Sequence, residues 1–202
     1  MQMPKLVEES LEILSEWNGD MDQNLIAPLI YVGWAKEFQK SVMNDELGDL
    51  YAEFKNINPL FLERVLRNKK GAASWCDIIQ TEKIETCDYI SQQSLINAIL
   101  KLEKKFGSDI MSWRWGEAHI AIHKSKTFKK WPFLALFTNI IHEVSGGSNT
   151  LMMSKLVDPQ NELYGANYGS TLRAVYDFSS ADSALFIIST GQSGHFLSRH
   201  YD

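Results

Sequence analysis

The sequence predicts an α+β fold, and three observations lead there. Before residue 110, apolar residues recur at three- and four-residue spacing, the signature of helices that bury one face. After residue 110 the period falls toward two, as in strands. Of the 202 residues, 45% are hydrophobic, enough to build a real core. Residues 1–110 therefore read as a helical segment and residues 111–202 as a β-rich one, helices first and strands after.

The elements follow in order. Leu25, Ile26, Leu29, Ile30, Trp34 and Phe38 define a helix over 22–42 with a wide apolar face, Pro28 lying in its first turns, where a missing N–H costs least. Asn58-Pro59 reads as an N-cap followed by proline at the first helical position, and Gly71 closes that segment. Leu95, Ile96, Ile99, Leu100 and Phe106 mark a further helix ended by Gly107. In the strand 118–123, His119, Ala121 and His123 face one way and Ala118, Ile120 and Ile122 the other. Residues 171–178 alternate again, and 184–189 is an apolar run with the length of a buried strand. Glycine- and asparagine-rich loops are expected at 145–150 and 158–170.

Composition excludes several roles. A net charge of −5 gives no electrostatic case for nucleic acid or an anionic membrane, and the basic runs at 67–70 and 124–130 are local. Met1 to Ser10 carry acids and no apolar core, so a signal peptide is not expected there, and no run reaches membrane-spanning length. Cys76 and Cys87, eleven apart, fit either a disulfide or two free thiols. Neither belongs to a C-x-x-C pair, so they are a poor metal site.

Several short motifs stand in a fixed order: Leu14-x-x-Trp17-Asn18-Gly19-x-Met21, Trp113-x-Trp115-Gly116-x-x-His119, Gly146-Gly147, Tyr168-Gly169-Ser170-x-x-Arg173, Gly191-Gln192-Ser193-Gly194-His195 and His200-Tyr201-Asp202. Each is weak alone. In this order they resemble the C-terminal part of the penicillin acylase (penicillin amidase) family of N-terminal-nucleophile hydrolases, over roughly residues 8 to 202. The resemblance implies that the strands complete part of an αββα sandwich and that the enzyme hydrolyses linear amides of N-acyl compounds, such as penicillins or N-acyl-homoserine lactones. It also implies a nucleophilic serine, exposed by self-cleavage, that is expected upstream of Met1. It leaves calcium possible in the full-length enzyme, and no residue here matches the family's calcium ligands. For a full-length member the resemblance implies a periplasmic or extracellular location. On this reading the isolated chain is inactive, its partner is the missing N-terminal part of the same enzyme, and an N-acyl amide is the substrate of the complete enzyme. The alternative is a non-catalytic remnant or split-gene fragment that only associates with that missing half.

The residues carrying the family motifs are expected to be structural: Trp115, Gly116, His119, Arg173, Gly191, Ser193, Gly194, His195 and His200. His119 and His123 on one strand face make a metal pair conceivable, yet two imidazoles without a third ligand are weak evidence. Arg173, with Asp177 on the same face, is expected to be buried and to fix carboxylates or loop carbonyls, a direct substrate contact being the alternative. Gly147-Ser148-Asn149 reads like the self-cleavage sequence, but cleavage there would leave only residues 148–202, too little for the family's sheet. Ser193 and His195, two apart, need a third group before they could act together, and their flanking glycines suit a tight turn. Trp17, Tyr31, Trp34 and Phe38 are either core or the wall of an acyl pocket.

Overall fold

A computed structural model of the chain describes residues 5–125, 128, 130–156, 164–170, 172–188 and 191–201. The fold is α+β, divided into two compact units. One comprises Met1–Asp20 with Asn24–Trp115, the other Met21–Gln23 with Gly116–Asp202.

The first unit is helical. Its opening helix, α1 (Lys5–Ser15), was not foreseen: only Val7 and Ser10 are buried, too few contacts to stand out as a stripe. A turn follows, in which the Trp17 indole N–H donates to the Asp20 carbonyl (2.7 Å) and Gly19 takes a φ of +90° that other residues resist. That turn delays α2 (Ala27–Leu47) five residues beyond the expected start, and Pro28 occupies its first turn. Gln39, fully buried on α2, donates to the carbonyls of Phe54 and Asn56 and accepts from the Asn58 N–H, all at 2.8 Å. A polar residue on a helix interior thereby satisfies the backbone of the next turn.

Asn58 caps α3 (Pro59–Leu66) by accepting from Phe61 N–H. The helix stops at Leu66, short of Gly71, because Asn68 reverses the chain with φ of 47° and accepts from Ala73 N–H. Thr86 caps α4 (Cys87–Phe106) through Tyr89 N–H, and Gly107 closes it with φ of +87°. The core joins Ala35, Phe38 and Val42 of α2 with Leu62 and Val65 of α3 and Ile90 of α4. Each such large side chain contributes about 1.5–3 kcal/mol by leaving water. Cys76 and Cys87, left open by the sequence, form a disulfide that ties the 3₁₀ segment Lys69–Cys76 to the start of α4.

The second unit carries the strands. A single helical turn, α5 (Trp115–Ala118), leads into β1 (Ile120–His123). There follow α6 (Pro132–Thr138), β2 (Ile140–Glu143), β3 (Ser154–Leu156), β4 (Ala166–Gly169), β5 (Leu172–Val175) and β6 (Leu185–Ile188). One sheet runs β2-β1-β4-β3, with β1 antiparallel to β2 and parallel to β4; β5 and β6 form a separate antiparallel pair.

Three expectations change here. The strand expected from 118 begins at 120, since 115–118 coil into a turn, so His119 precedes the strand. The loop expected at 158–170 contains β4, short and polar enough to hide its period; residues 158–163 of it lie outside the described residues. The run 184–189 is strand over 185–188 but exposed, with Leu185 at 72% and Phe186 at 66%, because a two-stranded sheet offers no second layer to cover it. Thr171 and Ser189, the ends of those two expected strands, also lie outside the described residues.

Candidate functional site

The motif residues occupy three places in the strand unit and its approach. The first is the Trp-x-Trp-Gly-x-x-His run. Trp113 and Trp115 are fully buried within the helical unit. The Trp113 indole donates to the Gly107 carbonyl (3.0 Å), and Trp115 N–H donates to the Leu25 carbonyl (2.9 Å). In the strand unit Gly116 N–H donates to the Gln23 carbonyl (2.8 Å), and a Cβ at Gly116 would lie 2.6 Å from Glu143 Oε2 and 3.1 Å from Gln23 Cβ. Only glycine fits that approach.

His119 is completely buried, and its Nδ1 sits 2.7 Å from the Tyr164 carbonyl oxygen. A carbonyl only accepts, so Nδ1 carries the proton. Burial pushes the His119 pKa below the usual histidine value, against the smaller opposing pull of the Tyr164 and Ser154 backbone. The ring is a neutral peg that pins the segment at Tyr164. It does not share a face with His123, which lies on β1 in ring contact with His142 at 6.3 Å. Among the described residues no group of three or more His, Cys, Asp or Glu is placed to hold a metal ion.

The second place is the loop 145–150. Gly146 takes φ of +88° while its N–H donates to the Met21 carbonyl (2.7 Å). The Ser148 hydroxyl oxygen accepts from Leu156 N–H (2.9 Å), which gives it the role of a loop anchor. The third is the chain end. Gly191, buried with φ of +74°, lets the N–H groups of Gln192 and Ser193 converge on the His200 carbonyl (2.8 and 2.9 Å). A Cβ on Gly191 would run into that carbonyl and Tyr201. Ser193 Oγ accepts from His195 N–H (3.1 Å), His195 Nδ1 accepts from Leu197 N–H (3.2 Å), and the ring stacks on Phe196. Both side chains thus close the loop upon itself. Gly194 has open space around it and, unlike Gly191, no positive φ. The His200 ring accepts from Arg199 Nε (3.0 Å), and the Tyr201 hydroxyl donates to the Thr138 carbonyl (2.6 Å).

Arg173 departs from its expected environment. It is exposed on β5 opposite Ile187, and Asp177 lies beyond the strand's end at Val175. The Asp177 carboxylate instead accepts from Ser179 N–H and Oγ, at 2.8 and 2.6 Å, which lowers its pKa. Arg173 faces a cleft made of two adjoining cavities, about 710 and 360 Å³. Both are lined by His123, Val144, Ser145, Met152, Ser170 and Arg173; the smaller also by His142 and Gly191. In the helical unit, Trp17, Tyr31 and Trp34 line a separate apolar groove of about 370 Å³, with adjacent ring centroids 5.3 and 6.0 Å apart. Phe38, the fourth member of that stripe, is core.

The penicillin amidase family profile matches residues 2–202. The chain belongs to the penicillin amidase family. It is 22% identical over 215 residues to the acyl-homoserine lactone acylase QuiP of Pseudomonas aeruginosa, covering 96% of this chain and 25% of that protein. It is 23% identical over 205 residues to the protein of the same name from Pseudomonas syringae pv. tomato, covering 96% of this chain and 24% of the relative. The chain thus spans about a quarter of the length of these curated relatives. Of the residues that line the cleft, Ser170, Arg173 and Gly191 were marked by sequence motifs, whereas His142 and Ser145 were not. His142 lies on β2, which is four residues long and whose exposed Ile141 and His142 break the alternation that would have revealed it; Ser145 lies beyond its end.

Proposed function

We propose that residues 1–202 are the C-terminal portion of an amidohydrolase that cleaves linear amides of N-acyl compounds, with N-acyl-homoserine lactones and penicillins as candidate substrates. The family match across residues 2–202 carries this reading. The nucleophile would be an N-terminal serine on polypeptide outside these residues. Its hydroxyl oxygen attacks the amide carbonyl while its own α-amine takes the proton. The amine then leaves with that proton, and water hydrolyses the resulting ester to free the acid and regenerate the serine. Two serines of the motifs support this division of labour, since Ser148 and Ser193 each accept a backbone N–H and serve local structure.

The chain would supply framework: a sheet held by the His119 peg, and strands whose apolar faces await cover by the rest of the enzyme. The Cys76–Cys87 disulfide fits an enzyme that matures in an oxidising, extracytoplasmic compartment. Co-expression with a polypeptide carrying the family's N-terminal-serine region tests the proposal. A stable complex that releases the free acid from an N-acyl-homoserine lactone is expected. A well-folded pair with no such release on any N-acyl amide would contradict it.

A further inference from the structure

We propose that the cleft in the strand unit binds a small organic carboxylate with an apolar tail, the Arg173 guanidinium holding the carboxylate and Val144, Met152, Ile187 and Ile188 the tail. Arg173 makes no hydrogen bond or ion pair with any described residue, while its side chain lines both adjoining cavities. A guanidinium offers a planar fork of donors that matches a carboxylate in two parallel bonds. On the same wall, His123 and His142 bring two imidazole rings within 6.3 Å of each other, and Ser170 adds a hydroxyl. These residues come from β1, β2 and the approach to β5, three separate stretches of chain.

The surrounding charges decide which anion fits. Glu143 lines the smaller cavity, but its carboxylate reaches toward Gly116, and Asp22 Oδ2 lies 3.5 Å from Ser145 Oγ. Both acids oppose an anion beside β2 and β1's far end, so the negative group belongs at the Arg173 side. With one guanidinium and two nearby carboxylates, a singly charged group is favoured over a dianion such as phosphate. The apolar side chains of Ile187, Ile188 and Met152, half-exposed along the cleft, then give a short aliphatic chain a surface whose contact removes both from water. Such ligands are acids of the kind that hydrolysis of an N-acyl amide releases, yet binding here requires no hydrolysis.

Equilibrium dialysis of residues 1–202 against labelled octanoate tests the site, with octanamide and inorganic sulfate as comparison ligands. Octanoate is expected to bind at least tenfold tighter than either. Arg173→Gln should erase the preference over octanamide; its exposed position leaves folding intact, verified by circular dichroism. Ile188→Asn should weaken octanoate and octanamide together. Equal binding of octanoate and octanamide, tighter binding of sulfate, or an unchanged preference in Arg173→Gln would overturn the assignment. Dialysis reads binding and not turnover, so its failure would leave the amide-hydrolysis reading standing, and absent turnover would leave the dialysis result standing.

Discussion

At His119, complete burial of an imidazole disfavours its charged form and so couples folding to pH. Because the folded-state pKa is depressed, the unfolded chain binds the proton more readily once pH falls to about 6.5, the ordinary histidine value. Stability is therefore whole above that value and declines as pH drops toward the folded pKa. Melting followed by circular dichroism between pH 7.5 and 5.5 should show a loss in the wild type that is reduced in His119→Gln. That variant should itself cost about 1–3 kcal/mol by disturbing the buried Tyr164 carbonyl's partner. An equal pH slope in both proteins would contradict the neutral peg. This residue was legible in the sequence through its place in the Trp-x-Trp-Gly-x-x-His run. Its partner was not, since a backbone carbonyl 45 residues away leaves no mark on side-chain pattern. Arg173 was marked but misplaced: a strand that ends at Val175 cannot hold Asp177 on its face.

Among the elements, the helices were the more legible because their signals are local. Asn58 before Pro59 and Gly107 after α4 act within one turn of themselves. The start of α2 was obscured by the Asn18-Gly19 turn, whose bonds lie between near neighbours that carry no apolar period. The disulfide is the clearest long-lived constraint on the helical unit. Closing a loop of this length stabilises by about 3 kcal/mol in the chain-entropy account, strain aside. Urea denaturation should therefore give a lower midpoint in reductant or in Cys76→Ala/Cys87→Ala, with helical content retained in water. An unchanged midpoint would show that the pair does not hold the fold.

The β5–β6 pair presents the opposite case. Leu172, Val175, Leu185, Phe186, Ile187 and Ile188 are all exposed across its two faces, which is the composition of an internal strand pair. Soluble monomers rarely leave a contiguous apolar patch beyond a few hundred Å² uncovered, and open strand edges template pairing. The chain alone should bind a hydrophobic dye and scatter light as soluble oligomers, and Phe186→Lys with Ile188→Lys should reduce both. A monodisperse monomer without dye binding would contradict the view that these strands await cover.

On the scale of the whole molecule, the α+β order was readable because helical and strand periods occupy different halves of the chain. The sheet arrangement was not, because β1 lies between β2 and β4, and strands of three or four residues barely establish a period. The central claim is that these residues serve an amidohydrolase whose nucleophile lies elsewhere. The most direct measurement is hydrolysis of an N-acyl-homoserine lactone and a chromogenic phenylacetyl amide by purified residues 1–202, with the intact mass recorded alongside. The account predicts no turnover and a single uncleaved mass of 23.1 kDa. Turnover that vanishes in Ser148→Ala, together with a fragment mass matching residues 148–202, would contradict it.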